Sequence, residues 1–100
     1  MIKHVILWKF KDELSDEEKK ARAVDVKRGL EGLLGKIDGL TDIRVNIDKL
    51  STSNADMMLD STFVSEEALH AYAVHPEHVK VADTFVRPYT AVRMCLDYME

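Results

Sequence analysis

The residues best suited to chemistry are concentrated in one short segment of this chain, Tyr72-Ala-Val-His75-Pro76-Glu-His78. Proline is tolerated in the first turn of a helix, and the residue before it is driven toward extended backbone. We therefore expect Tyr72 at the end of one helix, His75 at the boundary, and His78 in the first turn of the next helix. A hydroxyl and an imidazole held together at such a junction could act as a general acid and base.

Two roles are open for Tyr72 and His78. In an enzyme, His78 would remove a proton next to a carbonyl group while Tyr72 polarises that carbonyl. A helix N-terminus would help, because it disfavours the charged imidazole. In a protein without catalysis, His78 would instead satisfy a helix terminus or a buried carbonyl, and Tyr72 would fill the core.

Two further candidates, His4 and Asp97, lie at opposite ends of the sequence. If the first and last strands are antiparallel neighbours, the start of one lies beside the end of the other, so we expect His4 to contact Asp97. We expect this contact to be structural or to orient a ligand. His75 and His78 have a spacing that could bind zinc, but Pro76 interrupts the helix between them and no third Cys or His is near. No metal site is predicted.

The composition is typical of a globular domain and argues against several classes of function. One hundred residues, 46% of them hydrophobic and 32% charged, predict a single domain over residues 1–100 with a modest core. The net charge of −4, without a basic cluster, argues against a nucleic-acid partner. The lone Cys95 excludes an internal disulfide and favours the cytoplasm. No apolar stretch is long enough to predict a signal peptide or a membrane partner.

Periodicity predicts the elements that must position these side chains. Alternating apolar and polar residues predict strands at residues 2–10, 40–48, 56–64 and 89–98. The capping box Ser15-Asp-Glu-Glu18 opens a helix whose apolar stripe includes Val26 and which we expect to end near Gly35.

A second helical region follows the third predicted strand. Ser65 is expected to cap a short helix through Tyr72, and residues 76–85 continue as a further helical segment. The resulting order, strand–helix–strand repeated twice, favours a ferredoxin-like α+β fold. This fold has a four-stranded antiparallel sheet with two helices on one face.

The first strand is apolar on both of its faces, so something must cover the side that the helices leave open. Ile6, Trp8 and Phe10 point to one side, and Val5 and Leu7 to the other. We expect the side bearing Ile6, Trp8 and Phe10 to be the open one. A second copy of the chain would bury it, giving an eight-stranded dimeric α/β barrel.

Three segments resemble the stress-responsive A/B barrel domain, also called Dabb. They are the opening Ile2–Phe10, the segment Ala71–Val79 with its His-Pro-x-His, and the closing Leu96-Asp97-Tyr98. The resemblance covers essentially the whole chain, and the His-Pro-x-His segment is its most specific part. It implies a dimeric α+β barrel, in agreement with the topology that periodicity predicts.

The resemblance also implies site residues. Many members have no established activity, whereas one plant member closes a linear polyketide by an aldol condensation without metal or cofactor. By this resemblance, Tyr72 and His78 match a catalytic pair, His4 matches a pocket histidine, and Asp97 matches an aspartate near the end of the last strand. Val26 stands where that cyclase has a pocket tyrosine, so its particular substrate is not expected here.

We accordingly predict a homodimer with a small, mostly apolar cavity for a hydrophobic, phenolic or carbonyl compound, and no cofactor. Tyr72 and His78 are the candidate catalytic pair at its mouth. The candidate ligand-binding residues are His4, Ile6, Trp8, Val26, His75 and Asp97. The favoured hypothesis is a binding protein without catalysis, and the alternative is a cofactor-independent acid/base enzyme using His78 and Tyr72.

Overall fold

The computed structural model describes all 100 residues, in which helices and strands follow the predicted order. The strands are β1 (Ile2–Phe10), β2 (Leu40–Asn46), β3 (Met57–Phe63) and β4 (Thr90–Met99). The helices are α1 (Asp16–Glu31), α2 (Glu66–Val74) and α3 (Pro76–Val81), and one turn of π-helix, Ala82–Val86, follows α3. The predicted ferredoxin-like α+β fold is confirmed.

The four strands form one antiparallel sheet in the order β2-β3-β1-β4. β1 lies between β3 and β4, and β4 is an edge strand, as the topology predicts. The register places His4 opposite Asp97 and Trp8 opposite Arg93. Side chains paired in this way lie on the same face of a sheet, so the two ends of the chain contribute to one surface.

α1 begins as predicted but ends earlier. The Ser15 hydroxyl accepts from the Glu18 amide at 3.1 Å, and the Glu18 carboxylate accepts from the Ser15 amide at 3.1 Å, which completes the capping box. The helix stops at Glu31, and Gly32 is its C-terminal cap. Gly35, the predicted end, instead lies at φ +87° in the turn that follows. Glycine is a poor helix former, and the second of two glycines three residues apart, Gly32, lies directly after the last helical residue.

The junction between α2 and α3 follows the prediction made from Pro76. His75 has extended backbone (φ −64°, ψ 132°), and Pro76 is the first residue of α3. The helical segment predicted over residues 76–85 is divided, because α3 ends at Val81 and the π-helical turn replaces its continuation. Gly29 of α1 allows a close approach here, since a Cβ atom on it would lie 2.9 Å from the Val81 side chain.

The two faces of the sheet differ in what covers them. The expectation that the helices leave open the face bearing Ile6, Trp8 and Phe10 is wrong. On the helix-covered face, Ile6, Trp8 and Phe10 are only 4%, 4% and 3% exposed, because the helices of the same chain pack against them. The open face, here called the helix-free face, carries Leu7 on β1 and Leu96 on β4, which are 40% and 63% exposed. Alternation predicts two apolar faces but not which of them the connecting helices cover.

The main core lies between the helices and the helix-covered face. Its fully buried side chains include Val26 and Leu30 of α1, Val45 of β2 and Phe63 of β3. None of the helices is both long and apolar enough to cross a lipid bilayer.

Candidate functional site

A cavity opens between the helix-covered face and the helical junction that carries the predicted catalytic pair. It measures about 120 Å³, and nine of the 14 residues that line it are hydrophobic. The lining residues are His4, Ile6, Trp8, Leu30, Leu59, Leu69, Tyr72, Ala73, His78, Ala82, Val86, Arg87, Thr90 and Arg93. The cavity therefore combines an apolar interior with a few polar groups, as small-molecule sites usually do.

Tyr72 contributes a buried hydroxyl that has no hydrogen-bond partner in the protein. The residue is 1% exposed, and its ring lies 4.9 Å from Phe63 and 4.2 Å from His78, measured between ring centroids. Burial raises the pKa of the phenol above its ordinary value, so the hydroxyl keeps its proton and remains a donor. A buried hydroxyl without a hydrogen-bond partner costs free energy.

His78 is half-buried beside Tyr72 and is held by one hydrogen bond. Its Nδ1 lies 3.2 Å from the carbonyl oxygen of Ala73. Because a carbonyl can only accept, Nδ1 carries the proton and Nε2 of the neutral ring keeps a free lone pair. Burial lowers the pKa of His78; the Ala73 hydrogen bond opposes this, and the charges of Arg87, His4 and Arg93 add to it. The neutral form, able to accept a proton at Nε2, is thereby favoured.

His4 makes the contact with Asp97 that the sequence predicts. Its Nδ1 is hydrogen-bonded to an Asp97 carboxylate oxygen across β1 and β4. Burial acts to raise the pKa of Asp97, but the hydrogen bond and charge of His4, with smaller effects from the Cys95 hydrogen bond and the Arg93 charge, together outweigh it, and the net shift is downward. The ring of His4 lies 6.2 Å from that of Tyr72, edge to face. Asp97 thus orients His4, which lines the cavity. Asp97 is not itself part of the lining.

Three predicted ligand-binding residues do not line the cavity, namely Asp97, which contacts His4, and Val26 and His75. Val26 is fully buried in the core on α1 and is absent from the lining. His75 caps α3, where its Nδ1 accepts the Glu77 amide at 3.1 Å. The other candidates, Ile6 and Trp8, lie in the wall together with His4.

The structure adds two arginines that the sequence analysis did not single out. Arg87 follows the π-helical turn, and Arg93 lies on β4 opposite Trp8. The alternation of Arg93, Cys95 and Asp97 along β4 was the available signal, because it places all three on the face that carries His4.

Cys95 joins His4 and Asp97 in the only group of side chains spaced closely enough to hold a metal ion, all three ligand atoms lying within 4.8 Å of one another. The Cys95 sulfur is 3.7 Å from Nδ1 of His4 and 3.4 Å from the Asp97 carboxylate. Burial, together with the neighbouring Asp97, raises the pKa of the thiol and so disfavours the thiolate that a metal needs. Nδ1 of His4 is also already engaged by Asp97. The arrangement is a hydrogen-bonded cluster.

Comparison with known proteins agrees with this architecture. The chain is 31% identical to the stress-response A/B barrel domain-containing protein HS1 of Arabidopsis thaliana, over 97% of this chain and 87% of that protein. It is 26% identical to olivetolic acid cyclase of Cannabis sativa, over 97% of this chain and 94% of the cyclase.

Among solved structures, a dimeric protein with a ferredoxin-like fold from Bacteroides fragilis superposes with a TM-score of 0.91 at 30% identity, covering 97% of this chain and 93% of that one. The sequence profile of the stress responsive A/B barrel domain (Dabb) matches residues 2–100. The chain therefore belongs to the stress-responsive A/B barrel domain family.

Proposed function

We propose that this protein binds a small phenolic or carbonyl compound in the cavity between Tyr72, His78 and the helix-covered face. The observation that carries the proposal is the Tyr72 hydroxyl, which is buried at the cavity and has no partner in the protein. A ligand oxygen placed there would accept its hydrogen bond and recover the cost of leaving the hydroxyl unpaired.

The size and lining of the cavity support a single-ring ligand. An apolar cavity of roughly 150 Å³ can hold benzene, and this one is of similar volume at about 120 Å³. Its wall offers Ile6 and Trp8 to an aromatic or aliphatic body, while Tyr72 and His78 offer polar atoms at one point. Such a lining favours an apolar molecule with an oxygen at one end.

The proposal is tested by thermal-shift titration with resorcinol and acetophenone. A ligand of the native state raises the melting temperature in a concentration-dependent way. Tyr72→Phe should abolish the shift while leaving the protein folded. Tyr89→Phe removes the same atom from a tyrosine outside the cavity lining and should leave the shift intact. Absence of any shift with either compound, or an unchanged shift in Tyr72→Phe, would contradict the proposal.

We further propose that the protein acts as a homodimer assembled through its helix-free face. The face carries a contiguous set of exposed apolar side chains on the edge strand, namely Val92, Met94, Leu96 and Tyr98. Exposed apolar patches of this kind mark interaction surfaces. The Bacteroides fragilis relative, of the same fold, is dimeric. Packing this face of one protomer against the same face of a second would bury both apolar patches and join the two sheets into one barrel.

We place the protein in the cytoplasm, as part of the same proposal. Cys95 is a free and exposed thiol, and a reducing compartment preserves that state. An oxidising compartment would expose it to intermolecular disulfide formation.

A second candidate function, acid/base catalysis, is favoured by the hydrogen bond of His78. With Nδ1–H donated to Ala73, Nε2 is the free base, and the lowered pKa keeps it neutral. In this reaction class Nε2 takes a proton from the carbon next to a ligand carbonyl, and the C–H electron pair passes into the enolate. Tyr72 donates a hydrogen bond to the enolate oxygen. The relative olivetolic acid cyclase is an enzyme by name.

This second function is tested by hydrogen–deuterium exchange at the methyl group of acetophenone, followed by NMR in D₂O. His78→Asn keeps an N–H group near the position of Nδ1 but removes the base, and should reduce exchange to the rate without protein. His75→Asn is the matched control, because asparagine is also a good helix cap and His75 lies outside the cavity lining. Binding of acetophenone without exchange of its methyl hydrogens would contradict the catalytic function and leave only the binding function.

A further inference from the structure

The charge around the cavity is opposite in sign to the charge of the whole protein. The chain carries 18 acidic and 14 basic residues, for a net charge of −4. Yet no Asp or Glu lines the cavity, whereas Arg87 and Arg93 both do. Cationic side chains that line a cleft raise the positive potential there, even on a protein of negative net charge.

The two arginines differ in how far their charge is already compensated. Arg87 forms an ion pair with Asp83, one helical turn earlier. Arg93 has no carboxylate within ion-pairing distance. The acid nearest to it along the same face of β4 is Asp97, which is engaged by His4. Arg93 is thus the arginine at the cavity that forms no ion pair.

The position of Arg93 matches the geometry of the proposed ligand site. It lies opposite Trp8 in the register of β1 and β4, so both side chains project from the helix-covered face. Trp8 is 4% exposed in the wall, whereas Arg93 is exposed at the edge strand. A ring packed on Trp8 would present its substituent to the guanidinium at the mouth of the cavity.

We propose that the natural ligand is an anion: a small aromatic or oxo acid whose ring or carbonyl occupies the cavity and whose carboxylate is bound by Arg93. This inference rests on the proposed binding function and specifies its ligand class. Arginine binds carboxylates through two parallel hydrogen bonds, which gives orientation as well as affinity. The carboxylate would hold the ligand at the mouth of the cavity, and a polar oxygen at its other end would meet the Tyr72 hydroxyl.

The experiment compares 4-hydroxybenzoate with 4-hydroxybenzamide by isothermal titration calorimetry. The two probes share the ring and the phenol, and differ in the charge of one group of the same shape. The wild-type protein should bind the benzoate on the order of ten- to one-hundred-fold more tightly, the range of a charge-assisted hydrogen bond. Arg93→Gln should bring the two dissociation constants together by weakening the benzoate alone.

Two further variants make the result specific to Arg93. Arg93→Lys keeps the charge without the planar fork and should show an intermediate preference. Arg28→Gln changes the net charge by the same amount on the exposed side of α1, outside the cavity lining, and should keep the full preference. Circular dichroism on each variant verifies that the fold is intact.

The outcomes separate this inference from the proposed function. Equal binding of the two probes by the wild-type protein would overturn the anionic ligand class while leaving the cavity as a binding site. A preference that persists in Arg93→Gln would overturn the role of Arg93. Binding of neither probe, together with no thermal shift by resorcinol or acetophenone, would overturn both the inference and the proposed function.

Discussion

The two faces of the sheet are built from the same alternating strands but reach different states. On the helix-covered face, Ile6 and Trp8 are buried by the helices of the same chain and border a cavity. On the helix-free face, the apolar side chains of Leu7, Met94 and Leu96 remain exposed. The difference shows that alternating apolar residues in a strand predict a face that will be buried. Which element buries that face depends on where the helices that connect the strands pack. By our proposals, one face holds a ligand and the other holds a second protomer.

The largest effect is expected in the core beneath the helix-covered face. Phe63 is fully buried and packs on Tyr72. Phe63→Ala should lower the free energy of unfolding by about 3–5 kcal/mol, because it removes buried apolar contacts and leaves a cavity. Met94→Ala, on the helix-free face, should change the stability of a single protomer by less than about 1 kcal/mol, since Met94 is 68% exposed. Urea denaturation of both variants, at protein concentrations low enough to keep the chain monomeric, measures the contrast, and equal losses would mean that the two faces are equally buried within one protomer.

The helix-free face is tested by placing a charge at its centre. Leu96→Lys should dissociate the proposed dimer, weakening association on the order of one hundred-fold, because an unpaired ammonium would be buried between the two sheets. Light scattering should then give the mass of one 11.4 kDa protomer. The control is Asp38→Lys in the turn before β2, which introduces the same side chain at an exposed site away from the sheet face. A wild-type protein that is monomeric at micromolar concentration would contradict the interface.

Two buried hydroxyls on the helix-covered side of the sheet differ in whether they have a hydrogen-bond partner. Ser61 donates a hydrogen bond of 2.8 Å to the carbonyl of His4, whereas the Tyr72 hydroxyl has no partner. Ser61→Ala should therefore lower stability by about 1 kcal/mol, and Tyr72→Phe should leave it unchanged or raise it by up to about 1 kcal/mol. Thermal unfolding without ligand measures both changes. A clear destabilisation by Tyr72→Phe would show that the hydroxyl is structural.

The smallest expected effect is the pH dependence contributed by His78. Its pKa is lowered in the folded protein from an ordinary value of 6.5, chiefly by burial. Between the two pKa values the unfolded chain binds a proton that the folded protein does not, so stability falls as the pH drops through this window. His78→Asn should flatten the stability profile there relative to the wild-type protein. Denaturation midpoints from pH 5 to 7.5 give the comparison, and a steeper profile in His78→Asn would reverse the assignment.

Much of the fold could be predicted from local sequence signals. Ser15 and Glu18 cap α1 as their spacing predicts, and Pro76 sets the junction at which His75 turns the chain. The contact between His4 and Asp97 followed from topology, because antiparallel end strands bring the two termini together. These features depend on neighbours in sequence or on strand order, which residue patterns carry directly.

The candidate site was predicted only in part. Tyr72, His78, His4, Ile6 and Trp8 do meet at one cavity, whereas Val26, His75 and Asp97 do not line it. Val26 belongs to an apolar helical stripe, and such a stripe does not reveal which of its members faces a cavity and which packs in the core. Arg93 was not singled out, because nothing in the sequence near it indicates a site. It lines the cavity only because the edge strand β4 lies close to the helices in the folded chain.

The sequence by itself determined the family, the order of strands and helices, and the placement of a tyrosine and a histidine at a helix junction. Capping, proline geometry and alternation act over a few residues and need no distant partner. Only the tertiary structure decided which face of β1 the helices cover, that the Tyr72 hydroxyl is left without a partner, and that two arginines but no carboxylates line the cavity. These are properties of contacts between residues far apart in sequence, and they depend on how helices of fixed length pack across a twisted sheet.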